Sequence, residues 1–229
     1  FEKILGHCPY KSPTDMGVNM VGNCIVDDEA ARFASRQEII RRYYEALCEQ
    51  KQGKGSDETV RKLELLMQQA HVSPEQCPAV VASLKKAEET GTVSGALTLP
   101  DGTVVTGKTS SLLGASAALL LNALKYLAGI DHKLELIPAS VIEPISTLKT
   151  ESLGHRNPRL HSDEVLIALA ASANLDPKAA RALEALAHLQ GCQAHCSVIL
   201  SPADEGTYRK LGIQLTCEPK YQTNKLYHR

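Results

Sequence analysis

The spacing of apolar residues changes character part-way along the chain. Ile39, Ile40, Tyr43, Tyr44 and Leu47 recur at helical intervals, as do Val60, Leu63, Leu66 and Met67, and then Val80, Val81 and Leu84. Asp27 stands where an N-cap is expected, Gly53-Lys54-Gly55 breaks the pattern, and Ser73-Pro74-Glu75-Gln76 reads as a capping box with proline in the first helical position. These signals predict three amphipathic helices and a helical subdomain over residues 27–92. Beyond residue 93 short β-branched runs alternate with helical ones, which predicts an α/β domain over residues 93–229. Residues 1–26 are irregular and rich in turn formers, as in Pro9-Tyr10-Lys11-Ser12-Pro13. They read as a segment draped against the rest of a longer protein, and their polar groups Lys11, Thr14, Asp15 and Asn19 can reach a ligand.

The α/β part is organised around residues 97–130. Two short strands flank Pro100-Asp101-Gly102, where proline presets φ and glycine supplies positive φ, so a β-hairpin is predicted. A helix over residues 111–128 follows, with Thr109 or Ser110 as N-cap and Gly129 just past its end. Leu112, Leu113, Leu119, Leu120, Leu121, Leu124 and Leu127 make it apolar almost all round. Such a helix is buried in a core or spans a membrane. Ser116, Asn122 and Lys125 interrupt it and it is short for a span, so burial is expected. Residues 133–137 read as a strand, residues 138–150 as a helix disturbed by Pro144, and residues 153–160 as a loop. Ser162 and Asp176 stand as caps of two further helices. Residues 192–200 and 213–217 read as strands joined by a helix that Ser201-Pro202-Ala203-Asp204 opens. A strand–helix–strand unit implies a parallel pair. The expected fold is therefore mixed α/β: a small mixed sheet, a buried central helix, a strand–helix–strand C-terminal unit and an N-terminal helical subdomain.

Composition narrows the functional classes. A net charge of −1 and the absence of tryptophan argue against a nucleic-acid partner, since both phosphate neutralisation and base stacking lack residues. Seven cysteines, an odd number with no Cys-x-x-Cys pair, disfavour a disulfide framework and a zinc ribbon. With no secretory segment or membrane span in view, a cytoplasmic setting is expected. The chain opens on Phe1, as a piece of something longer would.

Several strings carry a resemblance: SPTDMGVNM from Ser12, VTGKTSSLLGASAALLLNALKYLAGI from Val105, RNPRLHSDEVLIAL from Arg156 and GIQLTCEPKY from Gly212. They resemble a bacterial family of uncharacterised conserved proteins, over essentially the whole chain. The resemblance implies that this chain is the C-terminal half, and that an N-terminal half with an α/β nucleotide-type domain and a Gly-Ser-Gly-Lys loop belongs with it. It implies no reaction. Some members carry the label of ATP-dependent zinc protease, but the His-Glu-x-x-His helix that such chemistry requires is absent from the sequence, and no metal site is expected.

Candidate chemistry lies in three places. Gly102 to Thr109 spells the phosphate-loop pattern, but its interior, Thr103-Val104-Val105-Thr106, favours a strand over a flexible loop. Lys108, Thr109 and Ser110 at a helix start can nevertheless hold an anion, or simply cap the helix. His155, Arg156, Asn157 and Arg159 crowd two guanidinium groups and an imidazole into a loop that also contains His161, suited to a carboxylate or phosphate. His195 on a buried strand is either a general base or a satisfied core histidine, and Glu143 on the Pro144 helix is either an acid–base group or a solvated carboxylate. Cys196 and Cys217 read as small buried apolar residues, and Asp204 is explained by capping alone.

Two functions are consistent with this. One is an enzyme or nucleotide-binding protein whose phosphorylated ligand sits between residues 108–110 and 155–161 and is shared with the N-terminal half. Its cofactor is not specified by the sequence. The other is a structural or homo-oligomerising domain in which those residues are scattered and separately satisfied. The first requires the two segments to meet in space.

Overall fold

A computed structural model of the chain describes Gly6 and residues 27–222. The chain divides into two compact units, Phe1–Cys77 and Pro78–Arg229. The polar residues singled out at Lys11, Thr14, Asp15 and Asn19 lie outside the described residues.

In the first unit, α1 (Asp28–Lys51) packs on α2 (Asp57–Ala70). Asp27 caps α1 by accepting from the Ala30 amide at 2.9 Å, and Ser56 caps α2. Ile39, Ile40, Tyr44, Val60 and Met67 are buried as their spacing predicts, but Leu66, expected on the same inward stripe, is 38% exposed. Residues 74–76 form a single 3-10 turn without the expected side-chain cap. The next helix, α3 (Pro78–Thr90), starts after it. The sequence groups α3 with the preceding helices, but it belongs to the second unit and packs on the sheet. Its buried Ala79, Val80 and Ser83 form the contact, and Ser83 Oγ donates to the Ser94 carbonyl at 3.2 Å.

The sheet of the second unit has four strands in the order β2-β1-β3-β4: β1 (Ser94–Thr98), β2 (Val104–Lys108), β3 (Gln193–Cys196) and β4 (Gln214–Cys217). The β1–β2 hairpin is antiparallel, β1–β3 is antiparallel, and β3–β4 is parallel as the strand–helix–strand reading requires. Gly102 closes the hairpin at φ +82°, and Asp101 Oδ1 accepts from the Thr103 amide. The phosphate-loop string is thereby spent on a strand: residues 104–108 pair with β1 from end to end.

The central helix is α4 (Ala115–Leu127), and it lies on β1 and β2. Gly107 permits this approach, because a Cβ there would come within 2.3 Å of the Leu119 backbone nitrogen. Leu119, Leu120 and Leu124 are fully buried in a core shared with Leu97, Leu160, Val165, Leu169 and Leu189. The three polar interruptions of the helix each have a partner. Ser116 reaches Asp204, Asn122 donates to the Thr106 carbonyl, and Lys125 donates to the His132 carbonyl.

The remaining elements are α5 (Ala139–Thr147), which runs through Pro144 into a π turn over Leu148–Ser152, then α6 (Ser162–Ala173), α7 (Pro177–Glu184) and α8 (Pro202–Lys210). Among the described residues the elements are thus eight helices and four strands, with the π turn and two short 3-10 segments, Pro74–Gln76 and Ala185–Leu189. None of these helices is long and apolar enough to cross a membrane.

Two expected elements differ. Residues 133–137 are not a strand: Asp131 takes the Lys133 amide on its side chain and the Leu134 amide on its carbonyl, and this turn leaves only Leu136 and Ile137 to be buried as coil. The central helix starts at Ala115 with Gly114 as N-cap, so neither Thr109 nor Ser110 caps it. The backbone of residues 112–114 is instead claimed by Leu160, whose amide donates to the Leu112 carbonyl at 2.9 Å and whose carbonyl accepts from the Gly114 amide at 3.1 Å. Ser162, likewise, is the first residue of α6, and His161 is its N-cap.

Candidate functional site

The N-terminal ends of three helices converge on one buried carboxylate, that of Asp204. It lies in the first turn of α8, whose cap Ser201 accepts from the Asp204 amide at 3.2 Å. Asp204 Oδ1 accepts from Ser116 Oγ of α4 at 2.8 Å, and from both the amide (2.9 Å) and the hydroxyl (2.7 Å) of Ser162 in α6. Asp204 Oδ2 accepts from Ser201 Oγ at 2.7 Å and from His161 Nδ1–H at 2.9 Å. Helix N-termini carry orphan amides and positive dipole ends, so three of them favour a negative charge here. Burial opposes that charge, but the hydrogen bonds from His161, Ser162 and Ser201 outweigh it and hold the carboxyl well below the usual carboxylate range.

His161 is the outward end of this arrangement. Its side chain is 26% exposed, against 7% for Asp204. The bond to Asp204 raises its pKa, more than burial lowers it. Asp204 engages Nδ1, which leaves Nε2 as the ring nitrogen away from the carboxylate. Ser201 is 3.4 Å from Nδ1, on the carboxylate side of the ring. It therefore does not stand where a nucleophilic serine must stand, opposite Nε2.

A second carboxylate fixes the loop that leads to His161. Glu164 Oε2 accepts from the His161 amide and from Lys149 Nζ, both at 2.7 Å. Lys149 sits in the π turn with only 2% of its side chain exposed. Its Nζ also donates to the Arg159 carbonyl at 2.7 Å, and its own carbonyl accepts from the His155 amide at 3.0 Å. One lysine thus holds both ends of the loop over residues 153–160.

This loop meets the segment that follows β2. Leu160 pairs with Leu112 and Gly114, and Arg159 Nε donates to the Ser110 carbonyl at 2.7 Å. Arg159 also receives order from Asn157, whose Oδ1 accepts its amide at 3.2 Å. Of the residues proposed from sequence, Ser110, Asn157 and Arg159 are therefore brought together. Thr109 is half-buried and donates its amide to the Val93 carbonyl, so it serves the backbone. Lys108, His155 and Arg156 are exposed on the two segments that meet. Ser110 Oγ accepts from the Leu113 amide, closing the turn before α4.

The acid–base candidates fare differently. His195 is fully buried within β3. Thr216 Oγ1 gives its hydrogen to the Ala194 carbonyl, so His195 Nδ1–H donates to Thr216 Oγ1 at 2.8 Å, and Nε2 lies 3.4 Å from Glu218 Oε1. A ring so enclosed is not placed at a strand end to act as a base. Glu143 is exposed on α5, whereas Lys149 in the turn that follows is buried. Burial pushes the Cys196 thiol up to about 12, with the charge of Asp204 adding to the effect, so it stays an un-ionised core residue. Among the described residues no His, Cys, Asp or Glu cluster is fit to hold a metal ion.

Asp204, Ser116, Ser162, Ser201, Lys149 and Glu164 were not legible as one group. The available signal was the serine near the start of an otherwise apolar helix, together with the serines that open two others.

Sequence comparison places the chain beside known proteins. A profile described as "Domain of unknown function DUF1846, C-terminal" matches residues 75–227, and its N-terminal companion matches residues 1–71. The chain belongs to the DUF1846 family. Because the N-terminal profile also matches, this DUF1846 chain holds more than the C-terminal domain alone. It is 52% identical over 228 residues to a UPF0371 protein of Corynebacterium efficiens, 53% identical to one of Streptococcus thermophilus and 51% identical to one of Streptococcus pneumoniae. Each alignment covers 100% of this chain and 46% of the relative, so the chain spans about half the length of these proteins, whose names state no reaction.

Proposed function

We propose that this DUF1846 chain binds a phosphorylated small molecule, such as a nucleotide, where the segment after β2 meets the loop over residues 153–160. The rest of a longer cytoplasmic polypeptide closes the site. The observation that carries this reading is the pairing of Leu160 with Leu112 and Gly114, reinforced by Arg159 on the Ser110 carbonyl. Segments distant in sequence, each bearing exposed cations, are held together by backbone bonds that do not consume those cations. Lys108 supplies a point charge, and the Arg156 guanidinium offers the planar fork that matches phosphate oxygens. The Lys149 ties keep the loop in place before a ligand arrives, which lowers the ordering cost of binding.

The test is a thermal-shift screen of the full-length protein with inorganic phosphate, pyrophosphate and nucleoside phosphates. A ligand present at a hundred times its Kd stabilises the folded state by about 2.7 kcal/mol. The expected result is a rise in Tm that Lys108→Ala and Arg156→Ala both abolish. No rise with any phosphate compound, or a rise indifferent to both substitutions, would overturn the proposal in favour of a domain that serves assembly.

A further inference from the structure

One residue from the meeting point of the two segments stands an imidazole whose Nδ1 is held by a buried carboxylate. We infer that His161 is the proton-carrying residue of the phosphate site, donating through Nε2–H to the bound phosphoryl oxygens, and that Asp204 is the positioning residue that fixes the orientation of its ring. This rests on the reading of the site given above and adds the residue on which binding depends as pH changes.

The geometry assigns the roles. Asp204 Oδ2 engages Nδ1, and a carboxylate bound at Nδ1 fixes the tautomer and leaves Nε2 as the working nitrogen. The ring is capped onto α6 by its own backbone: Val165 donates its amide to the His161 carbonyl, and the His161 amide is held by Glu164. Leu160, the residue before it, is the one that pairs with the segment after β2, so His161 sits one residue from the meeting point of the two segments.

The charged groups around the ring come from each neighbouring element. Asp204 of α8 faces Nδ1, Glu164 lies on α6, and Lys149 extends from the π turn into a bond with Glu164. Lys149 and Glu164 compensate each other, which leaves Asp204 as the unbalanced partner of the imidazolium. Beneath Asp204, Tyr208 and Cys196 are held neutral by burial and add no charge at neutral pH. Asp204 cannot swing away to take a proton of its own, because Ser116 and Ser162 fill its other oxygen. A buried pair arranged this way keeps its cation on the solvent side, where a phosphate meets it.

The experiment is calorimetric titration of the full-length protein with pyrophosphate between pH 6 and pH 8.5, comparing wild type with His161→Gln and Arg156→Ala. Using one probe throughout cancels the titration of pyrophosphate itself. Loss of a charge-assisted hydrogen bond corresponds to about tenfold in affinity. At pH 6, His161→Gln is expected to bind about tenfold more weakly than wild type, with the two curves converging as the pH rises. Arg156→Ala weakens binding at every pH and keeps the wild-type slope. If His161→Gln matches wild type at every pH while Arg156→Ala still binds weakly, the phosphate site stands and the role of His161 is wrong. Absence of binding by wild type at any pH overturns both. Should His161→Gln fold poorly, the imidazole titration followed by NMR in wild type with and without pyrophosphate decides: bound phosphate must raise the His161 pKa, and an unchanged value overturns the inference.

Discussion

Among the described residues of the second unit, two histidine–carboxylate pairs have a buried member, and they face opposite ways. In one, the carboxylate of Asp204 is inside at 7% exposure and the imidazole of His161 is outside at 26%. In the other, the imidazole of His195 is inside at 0% and the carboxylate of Glu218 is nearer the surface at 13%. Residue types and hydrogen-bonding capacity are similar, so burial order makes the difference. An inner carboxylate fixed by hydroxyls and amides presents an oriented imidazole to solvent, whereas an inner imidazole locked to Thr216 serves the interface between β3 and β4. Chemistry is available to the outer partner and stability depends on the inner one.

That contrast can be broken by measuring which member of each pair is costly to remove. Asp204→Ala is expected to have the largest effect, a loss of about 3–5 kcal/mol in denaturant unfolding, because it strands donors from three helix starts in the interior. His195→Ala should follow at about 3 kcal/mol, from the cavity and the lost Thr216 bond. If Glu218→Gln costs as much as His195→Ala, the inner-partner rule fails for that pair. Lys149→Met should cost about 2 kcal/mol, less than a sealed ion pair because water reaches Glu164, and should speed proteolytic cleavage within the loop it ties. His161→Gln should cost about 1 kcal/mol or less, since its ring is partly solvated. A loss equal to that of Asp204→Ala would make His161 as structural as its partner.

The smallest effect is on pH dependence. The Asp204 carboxyl is depressed, so its contribution is present above the ordinary value of 3.8 and is lost as pH falls through the lower folded value. The His161 imidazole is raised, so its contribution is complete below the ordinary value of 6.5 and is lost as pH rises through the higher folded value. The stability difference between wild type and Asp204→Asn should therefore be widest between 3.8 and 6.5 and narrow above that window. A difference independent of pH would show that the pair contributes by packing alone.

The same contrast shows which residues sequence could locate. His195 drew notice because an imidazole on an apolar strand is conspicuous, yet nothing local says that it faces inward to Thr216. Asp204 drew none, because Ser201-Pro202-Ala203-Asp204 is a complete local account of a helix start. Its decisive partners, Ser116 and Ser162, lie 88 and 42 residues away. The meeting of Ser110 with Arg159, which the ligand-binding reading required, spans 49 residues and has no local signature either.

Caps, glycine turns and apolar periodicity act over a few residues, so the helices, the hairpin, the parallel β3–β4 pair and the buried central helix followed from the order of amino acids. Where helix α4 starts was decided by Leu160, which took the backbone groups of residues 112–114 before a helix could use them. The fate of residues 133–137 turned on the competition between an Asp131 turn and strand pairing. Tertiary structure alone decided that Asp204 lies under His161, that Lys149 is buried, and which histidine faces out. Burial and long-range hydrogen bonds depend on which segments meet, and a buried polar group acquires its meaning only when its partners arrive.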